Sequence, residues 1–450
     1  MPDRISLRLL LTSACLALAA PAEARTADRM DGLSSAIRAN DLAAVQAALA
    51  RGGDPNQKLA FGSSPLAWAV NIQNPAMVAA LLASGAKPDR ADADGVTPLS
   101  LACELGNAAI IDQLLDAHAN VHATRPDGTT PLAICARFGP AEAVARMLAD
   151  GAAADRPDSR GQTPLMWAAA SGRVEAMALL HKAGADPNRM SKGGFSPLFF
   201  AIKSGGVAAT EALLAAGARA DQRGPENSSA AQLAVYQKNY AAAALMVARG
   251  ADVTERDRVG EQLLHAAAAG GDMALVDALL VKDADPNALT GPSRITWVTE
   301  ANFGVPPPPV PPTPPLLIAA ANGHRAVMQR LIAAGADSRF VAADGTNVVL
   351  AAAQGGSAET LDFALTLAPD ANVANAAGTT PLHVLLGGGA QPELEAMLRL
   401  LASHGARTDI ANRRGTTAAQ MADGELTEVK QIFRSVFPDD AALKMAEAAR

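Results

Sequence analysis

The chain has 450 residues, of which 49% are hydrophobic, 3% aromatic and 18% charged, with a formal net charge of −7. That length exceeds what one ordinary core organises, and the hydrophobic share is carried by Ala and Leu, which suits helices. No basic excess points to nucleic acid or to an anionic membrane surface.

Residues 1–24 read as a signal peptide. Arg4 and Arg8 flank the apolar run "LLLTSACLALAA", and "AEA" at 22–24 supplies small residues for cleavage after Ala24. The mature chain is then expected to begin at Arg25 and to be periplasmic or secreted. A second reading makes Cys15 in "TSAC" a lipoprotein anchor, but Thr12 stands where Leu is usual and the apolar run continues past the cysteine. No later stretch is long and apolar enough to cross a bilayer, so no membrane insertion is expected.

From residue 29 onward a repeat takes over. Residues 29–61 form a polar first unit, with Ser34 and Ser35 replacing the apolar start seen later. The stretches "SPLAWAV", "TPLSLAC", "TPLAICA", "TPLMWAA" and "SPLFFAI" then place Pro65, Pro98, Pro131, Pro164 and Pro197 at steps of 33. Two more steps reach Ala230 in "SAAQLAV" and Leu263 in "QLLHAAA", closing repeats two to eight over 62–290. The next start, Pro315 in "PPLLIAA", arrives 19 residues late, after the Pro-rich insertion 291–312. Val348 and Pro381 resume the step of 33 in repeats nine to eleven, over 313–411, and residues 412–450 read as C-terminal capping helices and a tail.

Within each unit, Ser or Thr is placed to cap a first helix and Pro takes its first position, where no backbone N–H is needed. Small residues four and five after the proline let first helices approach closely. A glycine such as Gly106, Gly139, Gly172 or Gly205 then ends the helix in the left-handed conformation. Sixteen residues after the proline, a Leu-Leu-like pair buries a second helix. No unit buries its own apolar face, so neighbours must stack.

This pattern resembles the ankyrin repeat family, whose motif reads T-P-L-H-x-A within 33 residues; the resemblance covers roughly residues 31–422. It implies an all-α solenoid of about 11 helix-turn-helix units with hairpin loops, monomeric and non-enzymatic, whose partner is another protein. The insertion then replaces the hairpin between repeats eight and nine. Its first half, "RITWVTEANFG", reads as a β-finger and its prolines as stiff polyproline II, which makes Trp297 and Phe303 candidate partner contacts.

In such arrays the inner helices and hairpin tips line a concave surface, and the residue three after each proline points there. Here that column reads Trp68, Leu101, Ile134, Trp167, Phe200 and Leu233, with Arg137, Lys203 and Tyr236 six after the proline and Phe138 and Phe199 alongside. In a chain with only 15 aromatics, this clustering marks a partner groove. Arg90, Arg125, Arg156 and Arg160 sit in the hairpins, but Asp92, Asp127 and Asp158 interleave with them, which reads as a solvated edge. Binding of a small ligand or cell-wall component is the alternative function.

Nothing in the sequence supplies catalytic chemistry, a cofactor site or a metal site. His118 and His122 are four apart, but the first falls where the second helix ends. The family often carries His at the slot of His265 and His383, where it bonds between repeats. Cys103 and Cys135 occupy small-residue slots of adjacent inner helices. With stacked helices about 8–10 Å apart, both are expected to be packed free thiols. Repeat seven lacks the Thr-Pro-Leu start and has Lys238 where glycine is usual, which predicts a weak joint.

Overall fold

The computed structural model describes residues 32–293, 311–424 and 427–438. Among them are 24 α-helices, two 3-10 turns and two isolated bridges, Arg223 with Ser229 and Ala411 with Thr417. The helices come as eleven inner–outer pairs and a terminal pair, Ala418–Gly424 and Thr427–Val436, so the fold is an all-α solenoid. Residues 1–24, read above as a signal peptide, and Cys15 with them, lie outside the described residues. So do Trp297 and Phe303.

The chain forms two compact units, Met1–Ala168 with Glu175–Asp186, and Ala169–Val174 with Pro187–Arg450. In the first unit the inner helices start as the sequence dictates. The hydroxyl of Ser64 accepts the Ala67 N–H at 3.1 Å, Thr97 accepts Ser100 at 3.2 Å, and Thr130 accepts Ala133 at 3.1 Å. Each cap is worth about 1 kcal/mol. Leu66, Leu99, Leu132 and Leu165, one after each proline, are buried, as are Leu81, Leu114, Met147 and Leu180 on the outer helices. Removing any one of these down to Ala costs about 2–5 kcal/mol. Between repeats one and two the Asn56 amide donates to the Gly85 carbonyl at 2.9 Å, and its oxygen accepts the Lys87 N–H at 2.8 Å. One side chain thus joins consecutive loops.

The cysteine expectation is overturned. Cys103 and Cys135 form a disulfide, with Cα atoms 4.6 Å apart and both residues fully buried. The error lay in treating the distance between helix axes as the distance between facing residues. A Cα sits about 2.3 Å off its own axis. Two residues that face each other across axes 8–10 Å apart therefore have Cα atoms about 4–5 Å apart, which a disulfide spans. Nearby Ala102 and Ala136 are also fully buried and add no bulk between the helices.

One glycine also departs from expectation. Gly139 is extended, at φ −80° and ψ 174°, because Pro140 follows it and disfavours helical geometry in the preceding residue. At the equivalent slot Gly106 (φ 72°), Gly172 (φ 65°) and Gly205 (φ 78°) are left-handed. Asn40, Gln73 and Lys238 occupy the slot with φ of 53°, 58° and 56° despite their side chains.

The second unit repeats the scheme. Asn188 and Asn372 join consecutive loops as Asn56 does, each donating at 2.9 Å, to Gly217 and Gly405. Asn287 makes the same bonds to Gly335 (2.9 Å) and Asp337 (2.7 Å), reaching across the inserted residues. Arg330 pairs with Asp277 at 2.5 Å, and the His324 ring donates to the Ala269 carbonyl at 3.0 Å, between the same two repeats. Thr290 donates its backbone N–H to the Thr313 carbonyl at 3.1 Å. That bond occupies the place of the hairpin bonds Arg125 to Thr129 (3.0 Å), Asp257 to Glu261 (2.9 Å) and Asn375 to Thr379 (3.1 Å). The helices of the terminal pair begin at Ala418, four residues later than a step of 33 from Pro381 gives, because a longer connection, "GGAQPE", precedes the helix Leu394–Ser403.

His265 shows what the histidine slot does. Its Nδ1 accepts the Gln262 N–H at 3.2 Å and its Nε2–H donates to the Ala288 carbonyl at 2.8 Å. Burial pushes its pKa below the usual imidazole range, and the charge on Arg256 acts in the same direction. His383 is bound in the same way, between the Thr380 N–H at 3.2 Å and the Thr416 carbonyl at 3.0 Å.

Candidate functional site

The slot three after each proline is half-buried at Trp68, Leu101 and Trp167 in the first unit, so each side chain keeps one open side. Ile134 is the exception at 2% exposure. It belongs to the core and leaves the candidate set, as does Phe199 of the second unit, also at 2%. Phe199 is held in place by backbone: a Cβ added to Gly224 would sit 2.6 Å from its ring.

What makes the first unit's face more than an apolar column is where its arginines lie. The Arg38 guanidinium carbon is 4.4 Å from the Trp68 ring centre, and that of Arg137 is 5.4 Å from the Trp167 ring centre and 4.8 Å from Phe138. Both arginines stand at the sixth position of one repeat, and both tryptophans at the third position of the next. The stack is therefore one geometry used twice. A cation over an indole contributes about 0.5–1 kcal/mol when exposed, and more when water is excluded. Arg38 escaped the sequence reading because it sits in the polar first unit. The signal that finds it is the spacing, 30 residues from arginine to tryptophan in both pairs.

Between the two stations, the carboxylate of Glu104 is bonded to Arg125 at 2.7 Å. The hairpin acids are used by their own turns. Asp92 accepts the N–H groups of Asp94 (3.0 Å) and Val96 (2.9 Å), and Asp158 those of Arg160 (2.9 Å) and Gln162 (2.8 Å). These carboxylates shape the hairpins, which the sequence reading took only as charge balance.

In the second unit Phe200 is half-buried, Lys203 is exposed and Tyr236 is 73% exposed. Phe195, on the hairpin before Pro197 and itself 38% exposed, packs edge-on against both Phe199 and Phe200, with ring centres 6.2 Å apart in each case. Such a pair contributes about 0.5–1.5 kcal/mol beyond burial. The sequence reading passed over Phe195 because it looked only at helix positions.

His118 and His122 are both exposed, and His118 takes a left-handed backbone at φ 58°. Beside them Arg146 is paired with Asp112 at 3.3 Å and with Asp116. Among the described residues no group of three or more His, Cys, Asp or Glu side chains is placed to hold a metal ion, and no helix is long and apolar enough to cross a membrane.

Ankyrin-repeat family models match residues 33–125, 105–191 and 316–412, and a single-repeat model matches 260–291, together more than half of the chain. The chain belongs to the ankyrin-repeat family. Among solved structures, the human ASB11 ankyrin repeat domain is similar at 27% identity, over 45% of this chain and 90% of that one, with a TM-score of 0.41. No curated protein matches. Residues 192–259 lie outside every family match, and they include repeat seven, where Ala230 replaces the proline and Lys238 the glycine. Ankyrin repeats generally mediate protein–protein interaction, and the fold typically serves as a binding scaffold.

Proposed function

We propose that this ankyrin-repeat chain is an exported scaffold that binds a partner protein through the exposed face of its inner helices. The observation that carries the reading is the twice-used arginine-on-tryptophan stack at Arg38–Trp68 and Arg137–Trp167. Large aromatic and arginine side chains held rigid on an open face are the residue types that dominate binding energy at protein interfaces. Phe195, Phe200 and Tyr236 give the second unit an aromatic surface of its own.

Export is supported by two independent features. One is the leader with its cleavage site before Arg25. The other is the Cys103–Cys135 disulfide, a bond that persists in oxidising compartments and is rare in the reducing cytosol. The test captures partners from an exported protein fraction with the mature chain and with Trp167→Ala. A discrete protein bound by the first and lost from the second supports the reading. Equal capture by both refutes it. N-terminal sequencing that finds Met1 or a lipid-modified Cys15 refutes the export arm.

A further inference from the structure

The second unit carries a patch of different make-up on two consecutive inner helices. Phe200 and Lys203 lie three apart on the helix Pro197–Lys203 and so share a face, and Phe195 packs edge-on against Phe200 at 6.2 Å. On the next inner helix, Ala230–Tyr236, Leu233 and Tyr236 stand at the same two slots, and Lys238 follows two residues later. Phe200 and Leu233 are half-buried, Tyr236 is 73% exposed, and both lysines are exposed. No described carboxylate pairs with the ammonium of Lys203 or Lys238. Lys238 is also costly to keep, since its backbone is left-handed at φ 56° in a slot where glycine sits without strain. Strain of this kind gathers at functional positions.

The acids of these repeats and of the hairpin that follows are placed or used elsewhere. Glu211 is on an outer helix, Val207–Ala215. Asp221 is bonded to Arg219 at 3.1 Å, and Glu255 is paired with Arg223. Asp252 accepts from Thr254, and Asp257 accepts the N–H groups of Val259 and Glu261 at 2.9 Å each. Burial, and then Asp257, pushes the Glu261 carboxyl above the ordinary range. At the end of the next inner helix Asp272 caps its own outer helix, accepting the Leu275 N–H at 2.8 Å. Glu226 precedes the inner helix that Lys238 follows. The two inner helices themselves carry no acid, and neither does the hairpin 187–196 before them.

We infer that the inner face of repeats six and seven takes an acidic segment of a protein partner, with an apolar side chain seated on Phe200, Leu233 and Tyr236 and carboxylates beside it on Lys203 and Lys238. The inference rests on the protein-binding reading and gives the second unit a ligand chemistry of its own. Packed helices lie about 8–10 Å apart, which an extended chain spans in about three residues. One apolar residue between acidic neighbours therefore matches the patch.

The test titrates the mature full-length chain against fluorescein-labelled Gly-Asp-Asp-Phe-Asp-Asp-Gly and against the same peptide with lysine or serine in place of aspartate, followed by fluorescence anisotropy. The expected result is saturable binding of the acidic peptide alone, weakened by salt. Tyr236→Ala should weaken it about tenfold or more, and Lys203→Gln and Lys238→Gly about two- to fivefold each. Lys238→Gly separates binding from folding, because it relieves strain and should stabilise the repeat while weakening the peptide. Lys238→Arg should keep binding, and Lys282→Gln, at the end of an outer helix, should leave it unchanged. Binding of the lysine or serine peptide as tight as that of the acidic one, or indifference to both Lys203→Gln and Lys238→Gly, overturns the inference. Tighter binding of polygalacturonate than of the acidic peptide also overturns it, in favour of an acidic glycan. If no peptide binds while partner capture is lost in Trp167→Ala, the inference falls and the protein-binding reading stands. If capture is indifferent to Trp167→Ala as well, both fall.

Discussion

Replacing both cysteines, Cys103→Ala and Cys135→Ala, tests the covalent link between repeats three and four with little other disturbance. Alanine is already the residue at comparable buried positions of neighbouring repeats, such as Ala69 and Ala168, so packing changes little. The sequence separation of 32 sets the size of the effect. Closing a loop of that length removes about 12 cal/mol/K of chain entropy from the unfolded ensemble, or about 3–4 kcal/mol at room temperature. With a urea dependence of about 1–3 kcal/mol/M, the midpoint should fall by about 1–4 M for the cooperative block that contains the bond. Both sulfurs are fully buried, so reductant should act on the native protein only as that block opens. Urea unfolding followed by circular dichroism, with and without dithiothreitol, is the assay. Reduced wild type and the double variant should superpose, well below oxidised wild type. Two titratable thiols in the denatured, unreduced protein, or coincident curves for oxidised wild type and variant, would refute the argument.

Three further outcomes are expected. Lys238→Gly should stabilise repeat seven by a few tenths to about 1 kcal/mol, because lysine is held there at φ 56°; hydrogen exchange over residues 225–255 should slow, and unchanged or faster exchange counts against strain at that site. Since the pKa of His265 is lowered by burial and then by Arg256, the folded state resists protonation. Its contribution is intact above the unfolded-state value of about 6.5 and is lost as pH falls from there through the folded-state value. His265→Gln should flatten that slope, and Glu261, whose pKa is raised by burial and then by Asp257, acts with the opposite sign in both proteins and drops out of the difference. Deleting residues 293–311 should leave the helical content and melting temperature near those of the full chain, and a collapse of either would mean that the inserted residues are needed for folding.

The solenoid was legible because one physical requirement recurs at a fixed interval. A helix needs a cap and a proline-tolerant first turn, a second helix needs a buried pair, and neither is stable without its neighbours. The candidate site was legible only in part. The slot three after each proline was readable by position, yet Ile134 at that slot, and Phe199 beside it, went inward. Whether a β-branched or aromatic side chain stays out depends on what the next repeat places over it, and that contact is not local in sequence. The arginines that cover Trp68 and Trp167 come from the preceding repeat, 30 residues upstream in both cases. The disulfide was missed for a geometric reason, since a spacing between axes was applied to residues that lean toward each other.

The inserted stretch shows how far the periodicity itself carries an argument. Every regular hairpin is closed by a backbone bond from a residue to the carbonyl four positions on, as Asp158 to Gln162 at 2.9 Å and Ala342 to Thr346 at 2.8 Å. Between repeats eight and nine the corresponding bond joins Thr290 to Thr313 at 3.1 Å, and the Thr313 N–H returns to the Thr290 hydroxyl at 3.0 Å. Removing residues 293–311 turns that pair into a step of four, with Gly291, Pro292 and Pro312 between them. The deletion therefore asks the chain for a turn of the length found at its other hairpins. The stacking bonds of Asn287 to Gly335 and Asp337 lie outside the deleted residues and remain available. Loop-closure entropy favours the shorter connection by about 1 kcal/mol or more, since each doubling of loop length costs about 0.6 kcal/mol. The extra length thus opposes stability slightly at a place where the fold has no need of it, which makes partner binding, measured on the deletion variant, the property to follow.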